Sequence, residues 1–316
     1  MSLDYNAPMA SSSRIFGNYQ IISLLGRGGM AEVYRAQVLS GSRQGQMVAV
    51  KRLLPEFADK TDYVNQFITE LDLTKILNHP NIVQVYEVGI RDGFHFMVME
   101  LIEGRDLGQI LRRCKDLGIQ LPLDIALYLG KTLFDTLAYA HGVVGSSGNP
   151  LNIVHCDISP SNFFISRFGE VKLGDFGMAR TVLDNVATAD SVVGKPYYLS
   201  PEALGGSFSS ASDLWAATVT LYEILTLERP FIGKALPDIF SAIRKNQRKP
   251  LQAVRPEISK DLEAIIEKGF AKEVHLRYLA AAECAEALAR QFDDRVGTAL
   301  SVASVVRSLF QEKKPV

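Results

Sequence analysis

Apolar and polar residues alternate through the first hundred positions in short runs rich in β-branched and aromatic types. Tyr19 to Leu25, Glu32 to Val38, Met47 to Leu53, Ile82 to Val88 and Phe94 to Glu100 are predicted as strands. One helix interrupts them. From Asp62 to Leu77, the residues Phe67, Leu71, Thr74 and Leu77 recur at helical spacing, and His79-Pro80 stops the run. Beyond Gly104 the period changes, and segments 105–116, 122–141, 210–227, 236–245, 259–270 and 279–292 read as helices. Strands first and helices after define an α+β chain with a boundary near Gly104. The expected divisions are a flexible N-terminus at 1–17, a β-rich part at 18–103, a mainly helical part at 104–293 and a helical tail at 294–316. In the tail, Ala299, Val302, Ala303, Val306 and Phe310 share one face, expected to pack on the helical part.

Composition narrows the partners. Apolar residues make up 47% and charged residues 22%, enough apolar mass for a sizeable core, and the formal net charge of −1 offers no basic excess for nucleic acid. Cys114, Cys156 and Cys284 share no metal-ligand spacing and suggest a reducing compartment. No apolar stretch approaches the roughly 20 residues that span a bilayer. The first residues have neither the basic-then-apolar form of a secretory signal nor a glycine for myristoylation, so a cytoplasmic location without membrane contact is expected.

Three stretches carry chemistry. The turn Gly26-Arg27-Gly28-Gly29 lies between two predicted strands, where glycines let backbone N–H groups approach a polyphosphate; alone this signal is weak. Lys51 ends the run Val48-Ala49-Val50. A lysine in a strand is usually solvated, but a buried one needs a partner, and Glu70 on the following helix is the candidate. Asp157 and Asn162 lie five apart between apolar runs, and Asp175 follows Val171-Lys172-Leu173-Gly174 directly. One carboxylate could accept a hydroxyl proton, while an amide and a second carboxylate could hold Mg2+.

In this order, together with His79-Pro80-Asn81-Ile82-Val83, His155-Cys156-Asp157, Asp175-Phe176-Gly177, Ser200-Pro201-Glu202 and Asp213-Leu214-Trp215, the chain resembles the eukaryotic-type Ser/Thr protein kinases of bacteria over about residues 19–293. The resemblance implies a bilobal protein-kinase-like fold, with a β-rich N-lobe and a mainly helical C-lobe, and ATP and Mg2+ as cofactors. It implies ATP contacts from Leu25, Gly26, Gly28, Val33, Ala49, Lys51, Glu70 and Phe164, with Met99 as gatekeeper and the backbones of Glu100 and Ile102 at the adenine. It further implies Asn162 and Asp175 as metal ligands, Asp157 as the proton acceptor, and Arg277 as the partner of Glu202. The implied acceptor is a serine or threonine hydroxyl on a protein substrate, and regulation is expected from a protein partner or from expression.

The chain departs from the family at several places, among them Ala31 in place of the third loop glycine and Ala217 in place of a glycine, both small changes. Cys156 replaces the arginine that usually precedes the catalytic aspartate and neutralises a phosphate on the activation segment. Activity independent of phosphorylation at Thr181, Thr188 or Ser191 is therefore expected. Ser159 stands where a γ-phosphate lysine is usual, and Lys195 stands where a threonine is usual. In the family fold these positions meet, so the lysine is read as relocated, which makes Ser159 and Lys195 candidate catalytic residues. The stretch between His141 and His155 is longer than usual and reads as a surface loop. The alternative reading is a pseudokinase, a nucleotide-sensing scaffold, motivated by the same changes at Cys156, Ser159 and Lys195.

Overall fold

The computed structural model describes residues 14–57, 60, 76–145, 147–176, 195–292 and 297–310. The chain divides into two compact units, Met1–Leu71 with Gln84–Leu101, and Asp72–Val83 with Ile102–Val316.

The first unit is an antiparallel sheet of six strands: β1 (Arg14–Phe16), β2 (Tyr19–Arg27), β3 (Ala31–Val38), β4 (Met47–Leu53), β5 (Val85–Arg91) and β6 (Phe94–Glu100), in the order β1-β2-β3-β4-β6-β5. Of the expected flexible segment 1–17, residues 1–13 lie outside the described residues, and Arg14–Phe16 adds a strand against Tyr19–Ile21. The β5–β6 hairpin turns at Asp92 and Gly93, both at positive φ, the backbone that Asp-Gly supplies at low cost. Val48, Val50, Ala36, Phe96 and Val98 fill one side of the sheet with Tyr19 and Val38. The expected helix Asp62–Leu77 lies outside the described residues up to position 75. The strand expected from Ile82 begins only at Val85. Ile82 instead bridges Leu173, and the Val83 amide donates to the Leu173 carbonyl at 2.9 Å, which holds these two residues in the second unit.

The second unit is mainly helical. A small sheet of β7 (Gly104–Asp106), β8 (Phe163–Ser166) and β9 (Val171–Leu173) is joined by α1 (Leu107–Leu117), α2 (Leu123–His141), α3 (Ser210–Thr226), α4 (Leu236–Lys245), the single turn α5 (Leu251–Val254), α6 (Lys260–Gly269), α7 (Ala281–Ala289) and α8 (Ala299–Phe310). Sequence signals set the helix ends. Asp106 caps α1 by accepting from the Gln109 amide at 2.8 Å, and Gly118 ends it in the left-handed region. Helix α3 is apolar nearly all round and buried accordingly, with Trp215 stacked on Phe231 and edge-on to Phe270. Val302, Val306 and Leu309 of α8 join the same core, and the Arg113 Nε donates to the Leu309 carbonyl at 2.9 Å. The loop after α2 closes as a short hairpin, with Val144 bridging Pro150.

Candidate active site

In the first unit, residues two apart on a strand share a face. Val48 and Val50 point into the core, so Ala49 and Lys51 occupy the opposite face of β4. Lys51 sits opposite Val33 and Met97, Val33 opposite Gly26, and Ala49 opposite Met99. Gly26, Val33, Ala49, Lys51 and Met99 therefore lie on one face in adjacent rows. Lys51 is buried. Leu25 falls in the irregular step between Leu24 and Gly26 and is exposed. The Gly28 amide donates to the Ala31 carbonyl at 2.8 Å and closes the turn. The Glu100 amide is used by the Gln84 carbonyl at 2.8 Å. Glu70 lies outside the described residues.

In the second unit, the loop from His155 to Asn162 is held by hydrogen bonds at nearly every residue. Asp213, in the first turn of α3 and 1% exposed, accepts from the amides of His155 at 2.8 Å and Cys156 at 2.9 Å, and it contacts the His141 Nε2 at 2.9 Å. Cys156 takes a positive φ of 66° between these anchors. The buried His155 ring is set as one tautomer. Its Nε2 donates to the Gly174 carbonyl at 2.9 Å, and its Nδ1 accepts from the Asp157 amide at 3.2 Å. Burial pushes its pKa down, against the opposing pull of Asp213, Asp157 and Asp175. The ring packs at a tilt against Phe176 with centroids 4.4 Å apart.

Asp157, Ser159 and Asn162 are all buried. The Asn162 Nδ2 donates to the Asp157 carbonyl and to its Oδ2, both at 2.8 Å, and the Lys195 Nζ donates to the same Oδ2. The Ser159 hydroxyl pairs with that of Ser161 at 3.0 Å. The Gly174 amide donates to the Asn162 carbonyl at 2.9 Å, which ties the residue before Asp175 to the same loop. Asp175 itself takes a positive φ of 59°. Phe164 packs against Gly174, where an added Cβ would lie 3.1 Å from its ring. Thus Asp157, Asn162, Lys195 and the Gly174–Asp175 turn are brought together, with Ser159 within the same loop. Burial, helped by Asp213 and Asp157, pushes the Cys156 thiol up to about 12. Behind the loop, Arg277 makes paired hydrogen bonds to both Glu202 oxygens at 2.6 and 2.7 Å.

Asp213 was visible in sequence only as part of a motif. Its clamp on the backbone, and the role of His141, had one signal: an acidic residue in the first turn of an otherwise apolar helix, which a buried setting forces to find donors.

The chain belongs to the protein kinase domain family, whose sequence model matches residues 19–291. The protein kinase family generally uses ATP and Mg2+. The chain is 37% identical over 278 residues to Tyrosine-protein kinase MasK of Myxococcus xanthus, covering 86% of this chain and 43% of the relative. It is 34% identical over 289 residues to Serine/threonine-protein kinase PrkC of Bacillus subtilis, covering 90% of this chain and 42% of the relative. The chain thus spans about two fifths of the length of these relatives. The fold matches the crystal structure of the Mycobacterium tuberculosis PknI kinase domain with a TM-score of 0.67 at 24% identity, covering 90% of this chain and 100% of that one. Among the described residues, no helix is long and apolar enough to cross a membrane.

Proposed function

We propose that the chain is a Ser/Thr protein kinase that transfers the γ-phosphate of ATP to a serine or threonine hydroxyl of a protein substrate. The observation that carries this reading is the state of Asp157. Its Oδ2 takes hydrogen bonds from Asn162 and Lys195, which leaves Oδ1 to accept the proton of the attacking hydroxyl. The Lys195 ammonium beside it would neutralise charge on the transferring group, with Ser159 leaving room for it in the loop. The nucleotide-binding residues of the first unit are Leu25, Gly26, Gly28, Val33, Ala49, Lys51, Met99 and the Glu100 carbonyl, with Glu70 orienting Lys51; those of the second are Ile102 and Phe164.

The residues fit Mg2+. The Asn162 Nδ2 is spent on Asp157, so its Oδ1 remains an oxygen donor, and the Asp175 carboxylate is a second. Among the described residues, no group of three or more His, Cys, Asp or Glu could hold a metal by itself. That suits an ion completed by phosphate oxygens and water. When bound, Mg2+ supplies neutralisation of the phosphate charges.

The name of the MasK relative raises tyrosine as an acceptor, so the assay must separate the two. Labelled phosphate from ATP is expected on serine or threonine of acceptor protein, and Asp157→Ala is expected to abolish transfer without loss of fold. Label on tyrosine alone would overturn the acceptor class, full activity of Asp157→Ala would overturn the role given to Asp157, and no transfer by the unsubstituted chain would support the scaffold reading instead. Thr181, Thr188 and Ser191 lie outside the described residues. With Cys156 in place of a cation, transfer is expected to persist when all three are alanine. The three free thiols suit the cytoplasm, and a protein partner is assigned the regulatory role.

A further inference from the structure

A cavity of about 590 Å³ opens on the second unit beside the Asp157 loop, reaching from Ser159 and Lys195 to Arg112 and Lys115 of α1 and to Arg229 beyond α3. Its charges are uneven. Arg112 and Lys115 lie three apart on α1 and so share a face, both are exposed, and among the described residues neither is ion-paired. Arg229 lies over the Tyr197 ring at 4.1 Å. Two carboxylates oppose these cations, and both are already engaged. The Glu223 side chain is 15% exposed, accepts from the Tyr198 hydroxyl at 2.6 Å and has the Arg229 Nε at 3.9 Å. Glu228 is paired with Lys249 at 3.2 Å. A basic side chain entering here would meet carboxylates that already have cationic or hydroxyl partners and would face Arg112, Lys115, Lys195 and Arg229. An acidic one would find Arg112, Lys115 and Arg229 lining the same groove, with the arginines able to bind a carboxylate through two nitrogens.

We infer that this groove reads the acceptor segment, and that the chain selects serine or threonine residues flanked by Asp or Glu. The inference rests on the kinase reading above and adds the substrate class. Burial pushes the Glu223 pKa up, against its bond from Tyr198 and the charges of Arg229, Lys115 and Arg112. These cations thus favour a negative charge at the groove wall, and burial of Glu223 outweighs them there.

The test uses three peptides with one acceptor serine and Glu, Ala or Lys flanks. The Glu peptide is expected to exceed the Lys peptide in kcat/KM on the order of tenfold, from two or three partly exposed charge pairs acting together. The ratio should shrink as ionic strength rises. In the double variant Arg112→Glu with Lys115→Glu the order should reverse, a ratio read within one protein and so independent of its total activity. Equal rates, a Lys preference, or an acidic preference that survives the double variant would each overturn the inference while leaving the kinase reading intact. Binding of fluorescent versions with the serine replaced by alanine, followed by anisotropy, separates the remaining case. Selective binding of the Glu peptide without transfer to any of the three peptides would support the groove and sink the kinase reading.

Discussion

Lys195 shows how one charge can be supplied from two places in the chain. Its ammonium lies against Asp157, while Ser159, two residues after Asp157, is buried, with its hydroxyl paired to that of Ser161. A lysine at 159 and one at 195 would compete for the same carboxylate, and here only one is present. The expected consequence is that Lys195→Thr lowers kcat by about a hundredfold, the scale of losing one preorganised charge at a reacting group. Adding Ser159→Lys to that variant should recover part of the loss. Steady-state kinetics on the three proteins checks this, and an unimpaired Lys195→Thr would refute it. Cys156 invites a different idea, a reactive thiol in the active loop. Its raised pKa, from burial beside two carboxylates, makes the thiolate scarce, so the cysteine is a packed side chain that fits a left-handed backbone held by Asp213. The sequence made Asp157, Asn162 and Asp175 legible because polar residues between apolar runs stand out. The mutual contacts of Asp157, Asn162 and Lys195 were legible only through family likeness, since no spacing rule brings position 195 to position 157.

At the level of elements, periodicity located the longer helices of the second unit to within a few residues, while the single turn α5 went unpredicted. It failed at Ile82. An apolar residue before a strand reads as strand, and nothing local says that its backbone is claimed by Leu173. The tail helix α8 illustrates a constraint from the other side of a contact. Gly169, in the turn between β8 and β9, has φ of 85°, and a Cβ there would lie 1.7 Å from the Ala299 carbonyl oxygen. Gly206 has nearly the same backbone, φ 87°, with nothing within 4 Å. Gly206→Ala should therefore cost only the conformational penalty of about 1 kcal/mol. Gly169→Ala should cost about 3 kcal/mol, because the start of α8 must also move. Thermal melts of the two variants, with proteolysis mapped at 297–310, test the pair. Equal destabilisation would mean that α8 is not docked through this turn.

For the molecule as a whole, the buried titrating groups give stability a pH dependence whose sign can be worked out. The burial of His155 holds its folded pKa below the ordinary value near 6.5. As pH falls below 6.5 the unfolded chain takes up a proton that the folded chain refuses, so the fold loses stability on acidification, by up to about 1.4 kcal/mol per pH unit. His79 is shifted the same way, chiefly by burial. The acidic groups differ in sign. Burial tends to raise Glu202, but the Arg277 hydrogen bonds and charge, with a backbone hydrogen bond and Ser200, together hold the carboxyl below its ordinary value, so that contribution is present above the ordinary glutamate range and is lost as pH falls through the folded pKa. Glu223 is raised chiefly by burial, acts above the ordinary glutamate range and has the opposite sign. Between pH 7 and 5 the two histidines cost stability on acidification, and Glu223 works against them. His79→Asn removes one of them and keeps an acceptor for the Asn81 amide, which His79 Nδ1 now serves at 3.1 Å. In that variant, with Glu223→Gln added to remove the opposing carboxyl, the melting temperature should still fall from pH 7 to pH 5, with the remaining slope belonging to His155. A melting temperature that stays flat across that range would mean that His155 takes up its proton in the folded state. The tautomer that positions the Asp157 amide would then not be fixed by burial.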